Sequence, residues 1–203
     1  MTVRRVTVAM TGASGARYGL RLTQCLLQAG CEVSFLISKA AQLVVATETD
    51  LNIPAKPALI ETFLTDHFAV DAGRLKVYGR EQWTAPVASG SSAPAVMVIC
   101  PCSTGCLSAI AHGASNNLIE RAADVALKEK RRLIIVPRES PYSAVHLENM
   151  LTLARMGVTV LPASPGFYHK PTSVDELIDF VVARVLDQLG VEQTLVERWG
   201  ANS

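Results

Sequence analysis

The chain has 203 residues, enough for one sizeable domain and short for two. Its formal net charge is +1 and no basic run carries interleaved aromatics, which argues against nucleic-acid binding. It is 49% hydrophobic and 18% charged, yet no apolar run approaches the ~20 residues of a bilayer span. So apolar a composition fits a parallel sheet covered on both faces, with further surface buried between subunits.

Residues 6–10 read as a first strand rather than a signal peptide, so a cytoplasmic protein is expected. The strand ends in Thr11-Gly12-Ala13-Ser14-Gly15, and Tyr18, Leu22, Cys25, Leu26 and Ala29 then fall at helical spacing until Gly30. Residues 32–37 read as a second strand, followed by a helix that Ser38 is placed to cap and that runs to Glu48. Residues 50–93 read as a long surface excursion around one short helix near 60–67. Regularity returns with a strand at 95–100, helices at 102–112 and 118–128, and a strand at 132–137. A helix at 143–156, a short strand at 158–161 and an amphipathic helix at 174–189 complete the pattern. Strands alternating with helices define an α/β, Rossmann-like, doubly wound parallel sheet in a single domain. Residues 1–192 form that domain, and residues 193–203, with Leu195, Val196 and Trp199, form a tail expected to dock on a neighbouring subunit.

The five cysteines include Cys100, Cys102 and Cys106, but no further group at ligand spacing completes a metal site. Reduced thiols, and no metal, are expected. The glycine-rich turn between a strand and a helix offers backbone N–H groups to an anion. Its glycines at 12, 15 and 19 do not match the dinucleotide fingerprint, and the second strand ends in Ser38-Lys39, where an NAD enzyme places an acid. Nor is there a Tyr-x-x-x-Lys pair, since the residues four after Tyr18, Tyr78, Tyr142 and Tyr168 are Leu22, Gln82, His146 and Thr172. A mononucleotide such as FMN fits better than a nicotinamide cofactor. Four cations, Arg121, Lys128, Arg138 and Arg184, stand near strand or helix ends, and Arg138-Glu139 follows an apolar strand where open α/β sheets keep their sites.

Ordered short blocks carry more information than any one of these features. Gly12-Ala13-Ser14-Gly15-Ala16, Ser38-Lys39-Ala40-Ala41, Glu48-Thr49-Asp50 and Pro101-Cys102-Ser103 are followed by Arg121-Ala122-Ala123-Asp124-Val125 and Leu127-Lys128-Glu129. Pro137-Arg138-Glu139, His146-Leu147-Glu148-Asn149-Met150 and Pro165-Gly166-Phe167-Tyr168-His169 complete the series. This order resembles the UbiX-type flavin prenyltransferases over residues 4–200. The resemblance implies a dodecameric flavoprotein that joins reduced FMN to dimethylallyl monophosphate and passes prenylated FMN to UbiD-type decarboxylases. It implies that Gly12, Ala13, Ser14, Ser38, Ser103, Thr104, Gly105, Cys106 and Arg138 hold FMN. Tyr168 and Arg184 would bind the isoprenyl phosphate with Lys128, Glu139 and, from a neighbouring subunit, Arg121, while Trp83 walls the allyl group. Ser14 and Glu48 are candidates for removing the proton at ring closure, and Lys128 and Glu139 complete the catalytic set. The competing expectations are an FMN-dependent cysteine decarboxylase of the same fold and a flavin carrier without activity.

Overall fold

The computed structural model describes residues 5–197 and Gly200. Apolar runs of five or six residues bury on both faces here, which is what a covered parallel sheet demands. The strands are β1 Arg5–Met10, β2 Glu32–Ile37, β3 Leu75–Val77, β4 Val96–Cys102, β5 Arg132–Pro137 and β6 Thr159–Val160. They lie in the order β3-β2-β1-β4-β5-β6, and every neighbouring pair is parallel. Between them run α1 Ala16–Gln28, α2 Lys39–Glu48, α3 Pro57–Phe68, α4 Thr104–Ala111, α5 Leu118–Lys128, α6 Ala144–Arg155 and α7 Val174–Leu189.

The period-two alternation of β4 sorts the core into two layers. Val96, Val98 and Cys100 face one cluster with α1, α2, α3 and α7, whereas Met97 and Ile99 face another with α4, α5 and α6, which Cys102 joins after the register shift beyond Ile99. The contact between α1 and β4 is close enough to require glycine. A Cβ on Gly19 would stand 2.3 Å from the Cys100 carbonyl oxygen, which no side chain tolerates.

Around Cys102 the element boundaries differ from the sequence reading. The strand expected to stop at 100 continues to Cys102, which pairs with Pro137, so Cys102 is not the start of a helix. The following helix begins at Thr104, after Ser103, whose hydroxyl accepts from the Cys106 amide at 3.4 Å. Within the excursion at 50–93 the three residues of β3 add a sheet edge too short to show periodicity. The Glu61 carboxylate on α3 secures that edge by accepting from the Val77 amide at 3.0 Å.

After α7 the chain returns to its own core, with Val191 buried and Leu195 packed against the α1/α7 layer. The tail residue Trp199 lies outside the described residues. Among the described residues no helix is long and apolar enough to cross a membrane, and no cluster of three metal-ligating side chains occurs. Cys25, Cys31, Cys100, Cys102 and Cys106 form no disulfide among the described residues.

Candidate functional site

Strand order reverses between β1 and β4, because β1 connects outward to β2 and β4 outward to β5. Connections that diverge leave a crevice at the carboxyl ends of those two strands. A cleft of about 470 Å³ lies there, lined by Thr11, Gly12, Ser38, Ser103, Gly105 and Cys106 among others. Its walls are helix starts. The Ser38 amide donates to the Met10 carbonyl at 3.0 Å, and the Ser38 hydroxyl caps α2 by accepting from the Ala41 amide at 3.0 Å. On the opposite wall Ser103 caps α4 in the same way. The Lys39, Ala40, Thr104 and Gly105 amides then have no acceptor among the described residues, as first-turn amides do unless a ligand takes them. Lys39 and Arg80 add two cations to the cleft, and neither pairs with a carboxylate among the described residues. Glu120 is the cleft's one acid, and its oxygens accept instead from the Asn116 amide and Asn117 Nδ2, both at 2.7 Å. An anionic ligand with a flat polar edge suits this donor set, and the volume lies within the range of cofactor pockets.

The glycine turn does something other than the sequence suggested. Gly15 sits at φ +99°, and its amide with that of Ala16 opens α1. Both donate to the Glu48 carboxylate, Gly15 at 3.0 and 2.9 Å to the two oxygens and Ala16 at 2.8 Å. The anion at this helix start is therefore the protein's own, which corrects the reading of the turn as a phosphate site. Burial would raise the Glu48 carboxyl, but the Ser14 hydroxyl, the Ala16 and Gly15 amides and the Arg138 charge together hold it below its ordinary value. Arg138, half-buried at the end of β5, donates from Nε to the Ser14 carbonyl at 3.2 Å. Ser14, Glu48 and Arg138 thus form one cluster, next to Ala13, whose amide turns back to the Thr11 carbonyl at 2.9 Å. Glu139 follows, and burial together with its charge raises the nearby Tyr142 phenol.

The remaining expected residues do not join this cluster within one chain. Trp83 is 48% exposed ahead of a 3₁₀ turn at Pro86–Ala88 that packs on the α5 side. Arg121 is tied from Nε to the Ala88 carbonyl at 3.1 Å and from Nη1 to Asp124 at 2.8 Å, while Lys128 pairs with Glu129. Arg184 lies on α7, paired with Asp187 at 2.8 Å. Tyr168 is 75% exposed on a segment whose next residue, His169, stacks on Phe180 of α7 at 5.5 Å. Phe180 and Arg184 are four apart and share a helix face, so the segment carrying Tyr168 packs on the face of α7 that carries Arg184. Lys128 cannot join them within one protomer, because α5 and α7 cover opposite faces of the sheet. The sequence reading took only Arg121 from a neighbouring subunit, and the structure separates Lys128 from Arg184 as well.

A second cleft of about 520 Å³ lies between α1, α3 and α7. Its arginines are already neutralised, Arg17 by Asp175 and Arg21 by Asp179 through Nε–Oδ1 at 2.7 Å and Nη2–Oδ2 at 3.0 Å. The crevice at β1 and β4 is thus the better anion site. Sequence reasoning missed Thr11, Arg80 and Asn117 there. Arg80 and Asn117 lie in or beyond the excursion at 50–93, where no pattern placed them, and a threonine at a strand end carries no local signal.

Fold and crevice together define a mononucleotide-binding α/β protein. Comparison with known proteins sharpens this, since the family described as Flavoprotein matches residues 1–186. Flavin prenyltransferase UbiX of Pseudomonas aeruginosa is 64% identical over 196 residues, covering 97% of this chain and 94% of that one. Flavin prenyltransferase UbiX of Methanocaldococcus jannaschii is 43% identical, covering 97% and 98%. The crystal structure of AnUbiX (PadA1) in complex with FMN and dimethylallyl pyrophosphate superposes with a TM-score of 0.87 at 38% identity, covering 99% and 100%. A dodecameric FMN-dependent UbiX-like decarboxylase from Escherichia coli O157:H7 gives a TM-score of 0.84 at 39% identity, covering 97% and 100%. The chain belongs to the flavoprotein family and, within it, to the UbiX-type flavin prenyltransferases.

Proposed function

We propose that the protein joins the dimethylallyl group of dimethylallyl monophosphate to reduced FMN, at N5 and C6, without a metal ion. The observation that carries this reading is the crevice at the β1/β4 switch, with its unsatisfied first-turn amides and two cations that pair with no carboxylate among the described residues, in a chain of this family. The phosphate of FMN lies by Ser38, Lys39 and Arg80, since the α1 start is closed by Glu48. The flavin ring then extends along Ser103, Thr104, Gly105 and Cys106 toward Gly12, Ala13, Ser14 and Arg138. Tyr168 and Arg184 of one copy, with Lys128, Arg121 and Trp83 of others, enclose the isoprenyl phosphate, and Glu139 stands at the junction.

The chemistry balances without an external oxidant. The allylic C–O bond breaks with its electron pair, phosphate departs, and flavin N5 forms the first bond and loses a proton. The allyl alkene then gains a proton, C6 forms the second bond, and the C6 proton is lost. The protein's contribution to the first stage is fixed positive charge where the phosphate charge grows, with Trp83 facing the cationic carbon. For the second stage the Ser14 hydroxyl, bonded to Glu48, accepts the proton, and Glu48 supports it as a carboxylate. In this reading the enzyme acts as a homo-oligomer, a dodecamer, in the cytoplasm, and its product serves a UbiD-type decarboxylase.

The cysteine-decarboxylase alternative loses ground. PPC decarboxylase and the cysteine decarboxylase TvaF reach only 19% and 17% identity at TM-scores of 0.58 and 0.56, a likeness of fold alone. Anaerobic incubation with reduced FMN and dimethylallyl monophosphate, followed by mass spectrometry of the extracted flavin, tests the proposal. Gain of one five-carbon unit is expected, and unchanged flavin would overturn it.

A further inference from the structure

Beyond the flavin reading, on which this inference rests, one side chain joins the two walls of the crevice. The β1/β4 pairing ends at Ala9 and Ile99, so the sheet's own ladder stops before the crevice begins. Thr11 takes over. Its amide donates to the Pro101 carbonyl at 3.1 Å, its hydroxyl donates to the same oxygen at 3.0 Å, and the Ser103 amide donates to that hydroxyl at 2.7 Å. Thr11 is 5% exposed, so water does not replace these bonds when one is removed.

What makes this more than a packing detail is the residue held. Ser103 caps α4, and the orientation of a cap residue sets that of the first-turn amides behind it. Those amides, Thr104 and Gly105, have no acceptor among the described residues, and a Cβ built on Gly105 meets nothing within 4 Å, so the turn faces open space. Thr11 itself lines the same cleft. We propose that Thr11 is a positioning residue for FMN, holding Ser103 so that the Thr104 and Gly105 amides point at the flavin.

The test compares Thr11→Val, close in shape but without the hydroxyl, with Thr11→Ser, which keeps it. FMN affinity is measured by fluorescence titration and the environment of the bound flavin by its visible absorption band. Thr11→Val should bind FMN about tenfold more weakly and shift the band, while Thr11→Ser should restore both to within about twofold of wild type. A general loss of packing would not be rescued by serine, which lacks the methyl group. Wild-type affinity and spectrum in Thr11→Val, or an equal loss in Thr11→Ser, would overturn the proposal. Should Thr11→Val not fold, amide hydrogen exchange of the wild type decides. The Ser103 amide should be protected without FMN and the Gly105 amide only with it, and equal exchange of the two in the FMN-free protein would overturn the assignment. If the wild type binds no FMN, the flavin reading fails and takes this inference with it. Normal wild-type binding with an indifferent Thr11→Val removes this inference alone.

Discussion

The crevice at β1 and β4 and the cation set on α5 and α7 are built on different principles. The crevice is mostly backbone, with helix starts, cap hydroxyls and amides converging because the strand order reverses there. The cations are side chains on helices that the sheet itself holds apart. Topology brings the first together within one chain, whereas the sheet separates the second. The proposed function therefore asks one protomer for the flavin crevice and an assembly of copies for the phosphate cations.

The largest effect is expected where the second region is broken. Arg184→Ala and Lys128→Ala should each lower turnover about 10²–10³-fold, as removal of a preorganised charge does, while FMN affinity stays within about threefold. If the two residues come from different copies, co-expressed Arg184→Ala and Lys128→Ala chains will assemble some sites that are wild type at both positions. Random mixing predicts recovery of about a quarter of wild-type activity. Activity no higher than that of either variant alone would place both cations on one chain's site and contradict the separation by the sheet.

A smaller effect sharpens the first region. Arg138→Ala removes a charged donor to the Ser14 carbonyl and should weaken FMN by about tenfold. Its turnover at saturating FMN should fall far less than that of Arg184→Ala. Titration of flavin fluorescence, with activity measured at saturation, separates the two. Equal loss of FMN in Arg138→Ala, Arg184→Ala and Lys128→Ala would mean that the two regions are not distinct.

Much of this was legible in the sequence because the elements have strong local signals. The covered strands at 6–10, 32–37 and 132–137 announce themselves as apolar runs, and Ser38 and Gly30 mark helix ends. What was not legible depends on distance in space. Glu48 reaches the α1 start from 33 residues away, so the turn looked vacant in sequence when a carboxylate fills it. The helix carrying Lys128 and the one carrying Arg184 look equivalent in sequence, because the face of the sheet that a helix covers is decided by connection and handedness. The extension of β4 through Pro101 was hidden because a proline ordinarily argues against a strand.

The smallest effect concerns Glu48, where the two kinds of construction meet: a side chain caps a backbone anion site. Glu48 is exposed, so the pairing is partly screened and its contribution stays below about 1 kcal/mol. Its carboxyl titrates below the ordinary 4.5 in the folded protein, so the unfolded chain takes up a proton first as pH falls. The stabilisation is therefore fully present above about 4.5, and it is lost as pH drops through the lower folded value. Glu48→Gln keeps the shape, removes the charge and replaces one acceptor oxygen with a donor. Its Tm should lie up to about 3 °C below wild type at neutral pH. The gap should narrow as pH falls below the ordinary carboxylate value, where the wild-type side chain also becomes neutral. Thermal melts of both proteins across that range are the measurement, and a gap that does not change with pH would show that charge at the α1 start is not what Glu48 contributes.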